Sequence, residues 1–139
     1  MKKPADWRAF HERKRPMVTI PQHGPRNELN DMRTFAEDLL QLPAIETWRI
    51  CIDWCTGERA LEIESLSQDG LELSNAEFWS LYKGIYQTID GEFTALAAGQ
   101  IICTFTVVDS SYWEIQGPEP FELHMHQRYG LFSSPNHQG

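Results

Sequence analysis

The sequence predicts an α+β domain in which a mostly antiparallel sheet of about five strands carries two helices packed on one face. Three observations support this prediction. The length of 139 residues is that of one domain. Hydrophobic residues make up 41% of the chain, which is enough for a core that needs no disulfide or metal. The hydrophobic period also changes along the chain, in the order helix, hairpin, helix and a run of strands.

The charge distribution predicts two parts, a basic, loosely ordered N-terminal arm at 1–27 and a single α+β domain at 28–139. The arm contains four of the eight prolines and the basic run from Arg13 to Arg15. Residues 1–33 carry eight basic and four acidic side chains, whereas residues 34–139 carry four basic and sixteen acidic ones. The net charge of −8 therefore combines a basic start with a strongly acidic body.

Two helices are predicted from apolar residues that recur at helical spacing. The first spans 28–41, with Asn27 as its cap. The second spans 74–90. It begins at Ser74, which has the capping-box spacing to Glu77.

Alternating apolar and polar residues predict strands, and a β-branched run with apolar residues on both faces predicts a central strand at 101–109. The predicted strands are 48–55 and 60–64, joined as a hairpin, followed by 92–98, 101–109, 112–115 and 121–128. Ser110 and Ser111 are expected to break or bulge one long strand between 101 and 115. The sheet therefore has about five strands.

Several classes of function are not expected from this composition. No apolar run is long enough to span a membrane, and none follows the basic start as a signal peptide requires, so we expect a cytoplasmic protein. Three cysteines at these spacings indicate reduced thiols. The acidic body repels nucleic acid, although the basic run near Trp7 and Phe10 offers a weak alternative. Without a glycine-rich phosphate loop or a metal-binding motif, no cofactor is expected.

The leading functional prediction is an acidic, aromatic-bearing surface that binds a basic protein partner. Segment 108–115 combines aromatic side chains with carboxylates at a strand break, and apolar anchors surrounded by charge are typical of protein interfaces. The alternative for this segment is a core tryptophan beside a tight turn. The residues predicted to contact the partner are Asp53, Glu62, Glu64, Asp109, Trp113 and Glu114.

A small enzyme or a metal- or ligand-binding domain is the second hypothesis. On a strand, Glu122, His124 and His126 would share one face and could ligate a transition metal. Cys51 and Asp53, together with the two histidines, could instead form a thiol-based catalytic cluster. The plainer interpretation is a solvated polar face and inert buried cysteines. A third hypothesis is an adaptor or homodimer that buries exposed tryptophans.

Two further segments are Gln87-Thr88-Ile89-Asp90-Gly91-Glu92-Phe93 and Val108-Asp109-Ser110-Ser111-Tyr112-Trp113-Glu114-Ile115. Together they resemble segments of small bacterial immunity proteins, which neutralise secreted toxins. Such proteins are typically cytoplasmic, acidic and non-enzymatic, and they bind a basic toxin domain tightly. The resemblance implies an inhibitory role for this chain, and it assigns no binding residue.

Overall fold

A six-stranded antiparallel sheet organises residues 18–130, which are the residues that the computed structural model describes. The strands are β1 (Val18–Pro21), β2 (Thr47–Thr56), β3 (Leu71–Ser74), β4 (Gln87–Ala97), β5 (Gln100–Val108) and β6 (Tyr112–Gln116). Their order across the sheet is β1-β6-β5-β4-β2-β3. The predicted α+β class with an antiparallel sheet is confirmed, with six strands in place of about five.

Residues 18–130 also contain four α-helices and one 3-10 helix, of which the last α-helix follows β6. They are α1 (Met32–Phe35), the 3-10 helix (Asp38–Gln41), α2 (Ala60–Leu66), α3 (Asn75–Tyr82) and α4 (Glu119–Tyr129). Across residues 18–130, none of these helices has the length and apolar character needed to cross a membrane.

One face of the sheet packs against the helices and forms the core. Trp48, Ile50 and Ile52 alternate along β2 and are all buried. Phe93 on β4 pairs with Ile50, and Phe105 on β5 pairs with Phe93, so the core continues across the central strands. The buried side chains of the helical layer include Phe35, Leu39, Phe78, Tyr82, Phe121 and Met125.

The start of α3 lies where the capping box predicts it. The Ser74 hydroxyl accepts the Glu77 N–H at 3.1 Å, and the Glu77 carboxylate accepts the Ser74 N–H at 2.8 Å. The helix ends at Tyr82, earlier than the predicted position near residue 90. The following residues have apolar side chains that also suit a strand, and from Gln87 onward they pair with β2.

The predicted helix at 28–41 is wrong in its start and in its continuity. Asp31 is the true cap, and its carboxylate accepts the N–H groups of Arg33 and Thr34. Only one α-helical turn follows before the 3-10 helix. Asn27, the predicted cap, has a φ of 65° and forms part of a turn instead.

Two predicted strands are helices. In α4, Phe121 and Met125 are buried one helical turn apart, whereas Leu123 between them is 56% exposed. Pro120 stands in the first turn, where its missing N–H costs no hydrogen bond. In α2, Ile63 is fully buried and Leu61 is 82% exposed, which a strand with alternating faces would not produce.

The predicted boundary of the N-terminal arm changes as well. β1 pairs with β6 from Val18 to Pro21, so this segment belongs to the sheet and not to an arm that ends at residue 27. The prediction for residues 1–17 lies outside the described residues.

Candidate functional site

The face of the sheet opposite the helices carries the acidic strand residues. A row of side chains crosses it in register from β2 through β4, β5 and β6 to β1: Cys51, Glu92, Thr106, Glu114 and Thr19. Paired residues of antiparallel strands project to the same side, so this whole row lies opposite the buried row of Ile50 and Phe93. Glu92 and Glu114 are two strands apart, which is about 10 Å.

A bulge in β2 adds an indole to this surface. The register shifts between Ile52 and Trp54, so Asp53 has no partner on β4 and Trp54 pairs with Asp90. Trp54 therefore projects to the same side as Asp53 and is 55% exposed. We call the surface formed by Arg49, Cys51, Asp53, Trp54, Asp90, Glu92, Thr106, Val108, Tyr112 and Glu114 the open face.

The charge of the open face is almost entirely negative. Asp53, Asp90, Glu92 and Glu114 contribute carboxylates, and Arg49 is the single basic residue in the six described strands. The Arg49 guanidinium lies 4.0 Å from the Glu72 carboxylate on β3, and both side chains are more than half exposed. An exposed ion pair at this distance adds little stability. The carboxylates of the open face together produce a negative field that attracts cationic macromolecules.

A shallow hollow of about 280 Å³ lies within the open face. Its side chains come from β2, β4 and β5 and include Cys51, Asp53, Asp90, Glu92, Thr106 and Val108. Partial burial raises the pKa of the Cys51 thiol, and the nearby carboxylates of Asp53 and Glu92 raise it further. Because the thiolate is the reactive form, Cys51 is a poor nucleophile at neutral pH.

A tight turn places Asp109 at one end of the open face. Asp109 and Ser110 have φ values of 50° and 53°, and the Ser111 N–H donates to the Val108 carbonyl at 2.9 Å, so these two residues are the centre of a tight turn between β5 and β6. The Asp90 carboxylate accepts the Asp109 N–H at 2.8 Å and so fixes this turn to β4. The predicted break at 110 and 111 thus lies within the hairpin connection at 109–111.

The structure brings together three of the six residues that the sequence predicted to contact a partner. Asp53 and Glu114 lie on the open face, with Asp109 at its end. Glu62 and Glu64 are on α2, since this segment is helical. Glu62 pairs with Arg59 at 2.9 Å, and the Glu64 carboxylate accepts the Cys55 N–H at 2.9 Å.

Trp113 is a core tryptophan, as the alternative for segment 108–115 predicted, and not the exposed anchor that the leading hypothesis required. Its side chain is fully buried, and its indole N–H donates to the Asn30 carbonyl at 2.9 Å. Within residues 18–130, the indole that is more than half exposed is that of Trp54, although strict alternation along 48–55 would place Trp54 on the same face as Ile52. Alternation does not reveal a bulge, so no signal in the strand pattern identifies Trp54.

The structure does not support the predicted metal set. On a helix, residues two apart point about 200° from one another, so Glu122, His124 and His126 do not share a face. Glu122 is buried and accepts the Gly117 N–H, His124 contacts Asp38, and His126 is exposed. Throughout the described part of the chain, no group of three or more His, Cys, Asp or Glu side chains is placed to hold a metal ion.

The predicted thiol cluster is not assembled either. Cys51 belongs to the open face, whereas His124 lies on α4, whose buried residue Phe121 packs on Phe105 at the opposite face of the sheet. A proton transfer between Cys51 and His124 would have to cross the sheet. The Cys51–Asp53 pair therefore has no histidine from α4 as its base.

A second polar cluster surrounds Asp38, whose side chain is fully buried. His124 and Arg128 donate to one carboxylate oxygen at 2.7 and 2.9 Å, and the Tyr129 hydroxyl donates to the other at 2.6 Å. Burial raises the pKa of the Tyr129 hydroxyl, and the hydrogen bond to the Asp38 carboxylate acts in the same direction. Both carboxylate oxygens are thus engaged within the fold, which makes the cluster a structural tie between the 3-10 helix and α4.

Comparison with known proteins gives no relative. No protein-family model matches this chain, and neither a curated protein nor a solved structure shows significant similarity to it.

Proposed function

We propose that this protein is a non-enzymatic binding protein that inhibits a basic protein partner, as immunity proteins do, by covering it with the open face. The observation that carries this proposal is the composition of that face. It combines four carboxylates with an exposed indole and a single basic residue. Such a surface attracts cations and offers one large apolar group for contact.

The carboxylates supply long-range attraction and orientation. Glu92 and Asp53 are exposed, so they keep their hydration in the free protein and lose little by being at the surface. Their summed field raises the rate at which a cationic partner arrives, and this gain falls as salt screens the charges. Charge on the open face thus acts mainly on association.

Trp54 supplies the contact that retains the partner. A half-exposed indole can bury a large apolar area on binding, and tryptophan is enriched among the residues that contribute most to interface affinity. Tyr112 and Val108 pair with each other on the same face and extend the apolar area. Loss of the indole is therefore expected to speed dissociation.

Affinity capture from the native cells, followed by kinetics with the captured protein, tests the proposal. The wild-type chain should retain a protein with a basic surface, and if that protein is an enzyme or toxin its activity should fall as the complex forms. The double variant Glu92→Lys/Glu114→Lys should associate with it about tenfold more slowly or worse, with a weaker salt dependence.

The matched control is Glu37→Lys/Glu119→Lys, which makes the same change of charge at exposed positions on the helical side. This control should associate at close to the wild-type rate. Equal slowing by the two double variants would mean that only net charge matters, and it would reject the open face as the binding surface.

Trp54→Ala provides an independent check on the same surface. It should weaken the complex about tenfold or more, mainly through faster dissociation. Leu61→Ala is the comparison, because Leu61 is also exposed but projects outward from α2. An unchanged dissociation rate for Trp54→Ala would remove the indole from the proposed interface.

A further inference from the structure

The chain contains its own cationic segment. Residues 1–17 carry six basic side chains, Lys2, Lys3, Arg8, Arg13, Lys14 and Arg15, and two acidic ones, Asp6 and Glu12. Residues 18–130 carry eighteen acidic and six basic side chains. We propose that residues 1–17 occupy the open face of the same molecule and compete there with the basic partner, an inference that rests on the function proposed above because it concerns the regulation of that surface.

The carboxylates of the open face are available for such a segment. Within residues 18–130, four of the six basic side chains form ion pairs with other carboxylates: Arg33 with Asp31, Arg49 with Glu72, Arg59 with Glu62, and Arg128 with Asp38. None of these residues forms an ion pair with Asp53, Glu92 or Glu114 in the described part of the chain. Within residues 18–130, Arg49 is the one basic side chain on the open face and pairs with Glu72, so most of the negative charge of that face is not offset by an ion pair.

The point of attachment lies beside this face. Residue 17 precedes Val18, the first residue of the edge strand β1. Thr19 on that strand ends the row that contains Glu114 and Glu92. With about 4.8 Å between strands, β6 lies roughly 5 Å and β4 roughly 14 Å from β1.

The reach of the basic run matches those distances. Arg13, Lys14 and Arg15 stand three to five residues before Val18. Because a chain spans at most about 3.3–3.6 Å per residue, these positions can lie up to roughly 10–18 Å from β1. Tethering also holds the segment at an effective concentration of about a millimolar, so weak ionic attraction is enough for occupancy.

Amide spectra of the full chain test this inference without the partner. The two proteins compared are ¹⁵N-labelled wild type and a full-length variant in which the six basic residues of 1–17 are replaced by Gln. The amide resonances of Cys51, Glu92, Thr106 and Glu114 should shift between them, whereas those of α3 should not. In 1 M salt, where the screening length is about 3 Å, the wild-type resonances should move to the variant positions.

Lys83→Gln at the end of α3 is the control, since it removes a charge away from the open face. It should leave the open-face resonances in place. Identical open-face resonances in the wild type and the six-Gln variant would overturn the inference, as would shifts confined to the helical side. Well-dispersed spectra of both proteins show in the same experiment that residues 18–130 are folded.

The two proposals fail in different ways. Association kinetics of Glu92→Lys/Glu114→Lys report on the partner, and the amide spectra report on residues 1–17 alone. If the spectra do not change while Glu92→Lys/Glu114→Lys slows association, only the inference that residues 1–17 occupy the open face fails, and the proposed function stands. If both hold, the six-Gln variant should bind the partner severalfold more tightly than wild type, because nothing then competes for the face.

Discussion

Asp38 and His124, which are 86 residues apart in the chain, meet in a hydrogen bond of 2.7 Å between the carboxylate Oδ1 and the imidazole Nε2. Arg128 and Tyr129 complete the donors to the same carboxylate. A fully buried carboxylate is tolerated only when charge and hydrogen bonds compensate it, and here three side chains of α4 do so. The cluster therefore holds the last helix against the short 3-10 helix.

Removal of this carboxylate should destabilise the fold. Asp38→Ala leaves three donors without their acceptor, so we expect a loss of about 2–4 kcal/mol in the free energy of unfolding. Glu37→Ala is the control, because the Glu37 side chain is 76% exposed and lies 3.8 Å from Arg128. It should cost less than about 0.5 kcal/mol. Urea denaturation measures both, and similar losses for the two variants would contradict the structural role of Asp38.

Trp54 and Trp113 project to opposite faces of the sheet, so their substitution should reduce the free energy of unfolding by different amounts. Trp113→Ala removes a fully buried indole and its hydrogen bond to Asn30, and it should cost about 3–5 kcal/mol. Trp54→Ala removes an indole that is 55% exposed, and it should cost less than about 1 kcal/mol. Thermal and urea unfolding of the two variants check this ranking. A larger loss for Trp54→Ala would place that indole in the core.

Local signals in the sequence identify parts of this fold correctly. The capping box of Ser74 and Glu77 depends only on four consecutive residues, so it predicts the start of α3 without tertiary information. The alternation that predicts β2 is long enough to be distinct from helical spacing, and the β-branched run at 101–109 predicts β5 as a central strand. Asp53 on β2 and Glu114 on β6 are far apart in the chain, and both of these predicted contact residues lie on the open face.

The predicted secondary structure is wrong where a segment fits both strand and helix spacing and tertiary contacts decide between them. Phe121, Leu123 and Met125 alternate as in a strand, but Phe121 and Met125 also have helical spacing, and the core accepts only that pair. This misassignment produced the metal set, since histidines two apart share a face only on a strand. The exposure of Trp54 depends on a bulge against β4, which residues near 54 do not encode by themselves.

A further prediction concerns Ser67, which follows α2. Ser67 contacts Ile52 on β2, beyond the residues of β2 that pair with β3. The Ser67 hydroxyl accepts the Ile52 N–H at 3.0 Å and lies 3.4 Å from the Ile52 carbonyl, all within the buried interior. Ser67→Ala leaves both backbone groups without a partner and should cost about 1–3 kcal/mol. Amide exchange of Ile52 should also become faster.

The control for this variant is Ser65→Ala, which lies on the exposed side of the same helix. It should change the free energy of unfolding by less than about 0.5 kcal/mol and leave the exchange of Ile52 unaltered. Equal effects of the two substitutions would show that helix propensity, and not the hydroxyl of Ser67, determines the result.

Alkaline pH should destabilise the fold through Cys55. Burial raises the pKa of this thiol to about 11, and the nearby Glu64 carboxylate contributes. In the unfolded chain the thiol ionises at its ordinary pKa, near 9. Between these two values the folded state binds more protons than the unfolded state, so the free energy of unfolding falls as pH rises from about 9 toward 11. Below pH 9 this contribution is fully present.

Urea denaturation at a series of pH values between 8 and 10 measures this loss, before the ionisation of tyrosine in the unfolded chain dominates. Cys55→Ala removes the thiol and should give a flatter dependence on pH, even though its stability at pH 7 is lower because a buried side chain is shortened. Glu64→Gln should also flatten the curve, since it removes the carboxylate that raises the thiol pKa. Parallel curves for wild type and Cys55→Ala would show that the buried thiol does not couple folding to alkaline pH.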